Sequence, residues 1–216
     1  MNFKEKKYTV IRNAISYELA NFAFNYLLLK REAVKWMHEN NYISKFTPGF
    51  GNWEDAQIPN TFSCYSDFFM ETLMMKVLPV MQQHTEMNLI PTYSYTRIYK
   101  EGDILHRHKD RPSCEISTTL HLGGNSWPIF LDPTGANNIL SGSETTTIVK
   151  PNAPKGISID LKVGDMLVYS GFELEHWREP FEGNNCAQVF LHYNNVDGPF
   201  GTQNKFDKRP LLGIPK

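Results

Sequence analysis

His108, Asp110 and His176 are the residues in this chain best suited to chemistry. Two imidazoles and one carboxylate can occupy one triangular face of an octahedral cation and leave the other three positions open, a donor set that suits Fe(II). His108-Lys109-Asp110 supplies two of the donors from adjacent alternate positions, and in an extended segment alternate side chains point to the same side. The third donor must then come from a distant strand that closes over the first, and His176 is placed to do this. His106 competes for a role, because His106-Arg107-His108 forms the same period-2 pair: it is read as a rim residue, or as ligand or support if it also faces inward. His121 and His192 fall in expected strands and read first as hydrogen-bonded structural groups. His38 and His84 fall in helical segments and suggest no chemistry.

Three donors from two distant places need a scaffold. Residues 8–12 read as a short strand. Ser16 is suited to cap a following helix, with Glu18 favourable in its first turn. Leu19, Phe22, Ala23, Tyr26, Leu27, Ala33, Val34 and Met37 then recur at three- and four-residue spacing and predict one buried stripe. Ser66 and Asp67 open a second helical stretch with Phe69, Leu73, Val77 and Met81 on one face, which Pro79 should kink or split. Between the two, residues 46–64 carry Pro48-Gly49, Gly51, Pro59 and Asn60 and predict a long loop or irregular strand. With Phe50, Trp53, Phe62 and the adjacent Tyr65, it could form a lid or substrate wall, or equally a hydrophobic plug.

From about residue 92 the pattern becomes short extended runs between turns: 93–100, 115–122, 127–131, 145–150, 156–160, 166–169, 175–180 and 186–193. Helices followed by many short strands predict an α+β fold with a double-layered antiparallel sheet. The expected organisation is a single domain over 1–216, with helical support and loop in 1–90, the catalytic core in 91–195 and a coil-like tail in 196–216.

Composition narrows the function classes. The chain has 216 residues, 13% of them aromatic, and a formal net charge of -1. That length suits one well-cored domain, and the charge balance argues against nucleic acid as a partner, which would call for a basic face. The one basic run, Lys4-Glu5-Lys6-Lys7, reads as solvated chain start. Cys64, Cys114 and Cys186 form neither a disulfide framework nor a metal knuckle, which predicts a reducing compartment. No apolar run approaches the roughly 20 residues needed to span a bilayer. Met1-Asn2-Phe3-Lys4-Glu5 places charges before any apolar run and does not read as a signal peptide. The expectation is a cytoplasmic protein without membrane or nucleic-acid partners.

The stretch Tyr99-Lys-Glu-Gly102-Asp-Ile-Leu-His-Arg-His108-Lys-Asp110 resembles the Fe(II)/2-oxoglutarate dioxygenase superfamily, in particular its prolyl 4-hydroxylase-like branch. The likeness continues through Gly164-Asp165-Met-Leu-Val-Tyr169, Gly171, His176 and Pro180, and so covers about residues 91–195. A narrower likeness, to a bacterial and phage group, lies in His108-Lys-Asp110-Arg111-Pro112-Ser-Cys114-Glu115, Trp127-Pro128 and His176-Trp177-Arg178. The resemblance implies a double-stranded β-helix, or jelly roll, with the metal at its open end. It also implies Fe(II) on His108, Asp110 and His176, 2-oxoglutarate and O2 as cosubstrates, and hydroxylation of an unactivated C–H bond with succinate and CO2 as co-products. The substrate would be a peptidyl residue, an amino acid or a small metabolite. Halogenation is disfavoured because the halogenase-type members lack the carboxylate ligand that Asp110 provides.

The 5-carboxylate of 2-oxoglutarate needs a cation or several donors, since a buried carboxylate without a partner is costly. Where the branch carries Lys or Arg, about ten residues past the distal histidine, this chain has Cys186, with Gln188 two residues on. Tyr99 fits the family position of a hydroxyl donor. Arg178, Arg97 and Arg111 are the available guanidiniums. Arg178 shares a strand with His176 and is favoured over Arg97, its competing reading being a salt bridge, for example to Glu115. A cupin-like metalloprotein with a hydrolytic or sensing role remains the alternative.

Overall fold

The computed structural model describes residues 3–143 and 145–215; Met1 and Asn2 of the N-terminal stretch lie outside these. The chain runs through α1 (Phe3–Lys6), β1 (Tyr8–Ile11), α2 (Tyr17–Glu39), β2 (Phe62–Tyr65), α3 (Phe68–Thr85), β3 (Leu89–Lys100), β4 (Leu105–His108) and β5 (Ile116–Gly124). It continues with β6 (Ile129–Leu131), β7 (Ile139–Ser143), β8 (Thr146–Val149), β9 (Ile157–Ile159), β10 (Met166–Tyr169), β11 (His176–Arg178) and β12 (Asn185–Asn195). Every pairing is antiparallel. One sheet has the order β1-β10-β5-β12-β3-β2, a second has β4-β11-β6-β9, and β7 and β8 form a hairpin. The expected double-layered antiparallel sheet is present.

Strand β12 shows how the layers are built. Ala187, Val189 and Leu191 pack with Leu27 of α2 and Val77 of α3, while the alternate residues Cys186 and Phe190 pack with Tyr99, Leu105 and Trp127. The period of two thus gives each sheet face its own apolar set. Across the interior, Ile129, Leu131 and Ile159 of the second sheet meet Leu167 and Tyr169 of β10. The helices lie on the outer face of the large sheet, and the candidate site lies between the sheets.

Ser16 Oγ accepts the Leu19 amide at 3.2 Å and Asp67 Oδ1 accepts the Met70 amide at 3.1 Å, so both helices begin as expected. The stripe on α2 needs correction. Ala20, Ala23, Leu27 and Val34 are buried, but Phe22 is 63% exposed and Ala33 is exposed. At about 100° per residue these two lie about a third of a turn from the buried line. Pro79 neither splits nor ends α3, which runs unbroken to Thr85. Buried Val77 and Met81 hold the turns on either side against the sheet, and such tertiary packing outweighs one lost backbone bond.

The tail, expected to pack as coil, is pinned by ion pairs. Arg209 Nη2 lies 2.6 Å from Glu71 Oε1, both side chains being 2% exposed. Asp207 receives Tyr65 Oη at 2.7 Å and a bidentate grip from Arg111 at 2.9 and 3.0 Å. All three cysteines are free and buried. Among the described residues no helix is long and apolar enough to cross a membrane.

Candidate metal centre

His176 on β11 pairs directly with His108 on β4, and their ring centroids lie 4.2 Å apart. His108 Nδ1 is 2.7 Å from the His106 carbonyl, and His176 Nδ1 is 3.0 Å from the Leu174 carbonyl. A carbonyl oxygen only accepts, so each Nδ1 carries a proton, and each ring in its neutral form would present the Nε2 lone pair to a cation. Asp110 lies just past the end of β4, where its amide donates to the Gly171 carbonyl at 2.9 Å. This bond brings Oδ1 to 3.6 Å from His108 Nε2 and 3.5 Å from His176 Nε2. The three donor atoms lie within 4.8 Å of one another. Burial opposes ionisation of Asp110, but His176 and His108, through charge and hydrogen bonding, hold its carboxyl well below the usual range. Burial, and then the neighbouring His176, push His108 down, toward the neutral form a cation requires.

His106 does not join them. The next matched pair after His176 and His108 is Arg178 with Leu105, so two β4 residues, His106 and Arg107, oppose the single Trp177. This bulge breaks the period-2 expectation: Leu105 and His108 line the cleft, while His106 lines a separate groove with Arg107 and Trp177. The outward Arg107 lies 4.3 Å over the Trp177 ring and bonds Glu175 and Asp132.

The interior beside the triad holds the other singled-out residues. Arg178 is 1% exposed and reaches across to β5, where Nη2 donates to Thr119 Oγ1 at 3.1 Å. Nη1 donates to the Trp127 carbonyl, and the guanidinium lies 5.0 Å over the Trp127 ring. Its Nε has no partner, and among the described residues Arg178 forms no ion pair. The competing salt bridge to Glu115 is not formed, since that carboxylate accepts from Asn194 and Asn195 instead. Arg97 is different: Asp55 Oδ2 lies 2.6 Å from its Nη2 and Gln57 Oε1 2.7 Å, so its charge is already met. Tyr99 is fully buried, its hydroxyl 3.4 Å from Arg97 Nη1 and its ring edge-on to Trp127.

Gln188 is occupied as well. Its Oε1 accepts from Thr119 at 3.1 Å, and its Nε2 lies 3.0 Å from His121 Nδ1 and 3.2 Å from Cys186 Sγ. Burial and the nearby Arg178 lower His121 to about 4, and burial raises the Cys186 thiol, so neither carries charge at neutral pH.

The triad opens into a cleft of about 370 Å³ whose wall includes Asp55, Tyr95, Arg97, Arg111, Phe190 and His192. The 46–64 loop thus reaches the mouth through Asp55 and Gln57, which sequence reasoning missed. Two of its aromatics serve as a plug: Trp53 and Phe62, their ring centroids 4.9 Å apart, pack into the helix-side core, whereas Phe50 is 38% exposed and Tyr65 donates to Asp207. Ser117 was missed too. Ser117, Thr119 and His121 are polar at alternate positions of one buried strand, the pattern that could have revealed an inward polar face. Asp110, Cys114 and His192 form a second group of donors within 4.8 Å of one another.

No protein-family model and no curated protein matches the chain. Solved structures do. A Pseudomonas putida prolyl-4-hydroxylase superposes with a TM-score of 0.58 at 12% identity, covering 89% of this chain and 95% of that one. HygX from Streptomyces hygroscopicus, solved with nickel and 2-oxoglutarate, gives 0.57 at 12% identity over 90% and 85%. The non-heme alpha-ketoglutarate-dependent carbocyclase SnoK from nogalamycin biosynthesis gives 0.60 at 14% identity over 99% and 90%. The fold is shared with these proteins.

Proposed function

We propose that this chain is an Fe(II)- and 2-oxoglutarate-dependent oxygenase with a double-stranded β-helix core. In this reading it hydroxylates an unactivated C–H bond of a peptidyl residue, amino acid or small metabolite, releasing succinate and CO2. The observation that carries the reading is the pairing of the His108–Asp110–His176 donors with Arg178. A fully buried guanidinium without a counter-ion among the described residues, two positions from His176, calls for an anion in the interior.

His108 and His176 would hold the cation through Nε2 and Asp110 through Oδ1. Arg178, with Thr119 beside it, would take the distal carboxylate of the cosubstrate, since a guanidinium grips a carboxylate with two parallel bonds. The bound metal and oxo acid supply the oxidising power. The chain's own part is to orient and to keep water out. Tyr169 sits edge-on to His176 at 4.7 Å, and Tyr169, Leu167, Ile129 and Leu131 form an apolar wall beside it. The orphan Arg178 also weighs against a cupin-like hydrolytic or sensing role, which would leave that charge unexplained. A near-neutral cleft without a basic stripe suits a small molecule or peptide.

Anaerobic addition of 2-oxoglutarate to the Fe(II)-loaded protein tests the reading. A visible metal-to-ligand charge-transfer band, followed by succinate formation on admitting O2, is expected. Tight metal binding with neither the band nor succinate would leave the hydrolytic or sensing alternative.

A further inference from the structure

The two oxygens of Asp110 have different surroundings. Oδ1 faces both Nε2 atoms at 3.6 and 3.5 Å. Oδ2 lies 2.7 Å from Ser117 Oγ, and that same hydroxyl is 2.9 Å from His192 Nδ1 and 3.0 Å from the Cys114 carbonyl. A serine hydroxyl has one proton and two lone pairs. Asp110 Oδ2 and the Cys114 carbonyl can only accept. An unprotonated His192 Nδ1 would make three acceptors for one proton, so Nδ1 carries a hydrogen and donates to Oγ. The Ser117 proton then goes to the carboxylate, the shorter and charge-assisted bond.

Backbone geometry fixes this relay from both sides. Ser117 on β5 is paired with His192 on β12 and with Tyr169 on β10. His192 is also held by its ring contact with Tyr93 at 4.5 Å. On the far side Gly171 packs so closely that a Cβ there would collide with both Asp110 Oδ2 and Ser117 Oγ.

We propose that Ser117, oriented by His192, is the positioning residue that commits Asp110 to bind metal through Oδ1 alone. Carboxylates bind cations through one oxygen or two. A two-oxygen grip would take a fourth position of an octahedral ion, and the proposed reaction needs three left open. The assignment rests on the metal reading above and adds the reason the site stays open.

Mn²⁺ loading reports on this without any turnover, because water-proton relaxation counts the fast-exchanging waters on the bound ion. Wild type should show three. Ser117→Ala should show two, and Ser117→Thr should restore three. His192→Gln keeps a side-chain donor and should retain three, whereas His192→Leu should fall to two. Circular dichroism checks folding, and the His192 pair carries the test if Ser117→Ala does not fold. Three waters in both Ser117→Ala and His192→Leu would overturn the inference and leave the metal reading intact. Failure of the wild type to bind Mn²⁺ would overturn the metal reading itself. Co²⁺ gives a further check: an intense thiolate-to-metal band would place the ion on Asp110, Cys114 and His192 and overturn the role given to Ser117.

Discussion

His176 lies directly across from His108, but the next matched pair, Arg178 with Leu105, skips a residue on β4. That one bulge decides which histidine of the His106-Arg107-His108 run meets His176. Replacing His108, Asp110 or His176 with Ala should each weaken Mn²⁺ binding more than the roughly 10–100-fold typical of supporting residues around a metal. His106→Ala should leave it within about twofold. Titration followed by electron paramagnetic resonance measures both. Loss of metal in His106→Ala with retention in His108→Ala would mean the strand register is wrong.

Arg178 and Arg97 separate by their partners. Arg97 spends its charge on Asp55 at 2.6 Å, whereas Arg178 meets only neutral groups. Losing a desolvated charged pair costs on the order of 2–5 kcal/mol. Arg178→Ala should therefore raise the 2-oxoglutarate dissociation constant at least about tenfold while sparing Fe(II) affinity. Arg178→Lys should recover little, because an ammonium lacks the planar fork. Arg97→Ala should instead free the Asp55 loop and increase its proteolysis, and Cys186→Ala should change little. Calorimetric titration of the Ni²⁺-loaded protein distinguishes them, and an Arg97→Ala variant that alone loses 2-oxoglutarate would reverse the roles.

The sequence made legible what depends on local spacing. The two helices and most strands follow apolar periodicity, and the separation of His108-Lys109-Asp110 from His176 pointed to two strands meeting. The β4 strand was not among the runs marked by apolar pattern and was expected only from the ligand spacing: Leu105-His106-Arg107-His108 is short and mostly polar, so it carries no apolar alternation. Its bulge is set by pairing with β11, a contact 68 residues away in sequence (176 less 108). The partners of Arg97 are remote in the same way, since nothing near Asp55 announces that it will fold back onto Tyr95 at 2.8 Å and onto Arg97. Phe22 was misplaced for a different reason. A wide apolar spread on α2 defines a stripe only once the sheet selects which third of the helix it covers.

Gly171 has a steric role that a single methyl tests. Its carbonyl accepts the Asp110 amide at 2.9 Å, and a Cβ on it would meet Asp110 Oδ2, Ser117 Oγ and the Cys114 carbonyl. Overpacking of this kind costs about 1–3 kcal/mol. Gly171→Ala should lower thermal stability by that amount and weaken Mn²⁺ binding about 10–100-fold, because the displaced group is the carboxylate proposed to hold the cation. Unchanged metal affinity would show that Asp110 can move aside and still bind.

Asp165, at the turn into β10, should govern acid stability. Its Oδ1 accepts the Asn13 amide at 3.0 Å, and its Oδ2 accepts the Lys162 amide at 3.0 Å and Arg12 Nη1 at 2.6 Å. Burial alone would raise its pKa, but the Asn13 amide, the Arg12 guanidinium and the Lys162 amide outweigh it and hold the carboxyl below its usual value. A depressed folded pKa means the stabilisation is complete above the unfolded value of about 3.9 and is lost as pH falls through the lower folded value. Hydrogen bonds to a charged group contribute about 1.5–3 kcal/mol, so Asp165→Asn should be less stable than wild type by about that much at pH 7. Urea midpoints for the two proteins should then converge as the pH is taken below about 3.9. A gap that persists undiminished at the acid end would mean that the shape of the side chain, and not its charge, ties the β1 end to this turn.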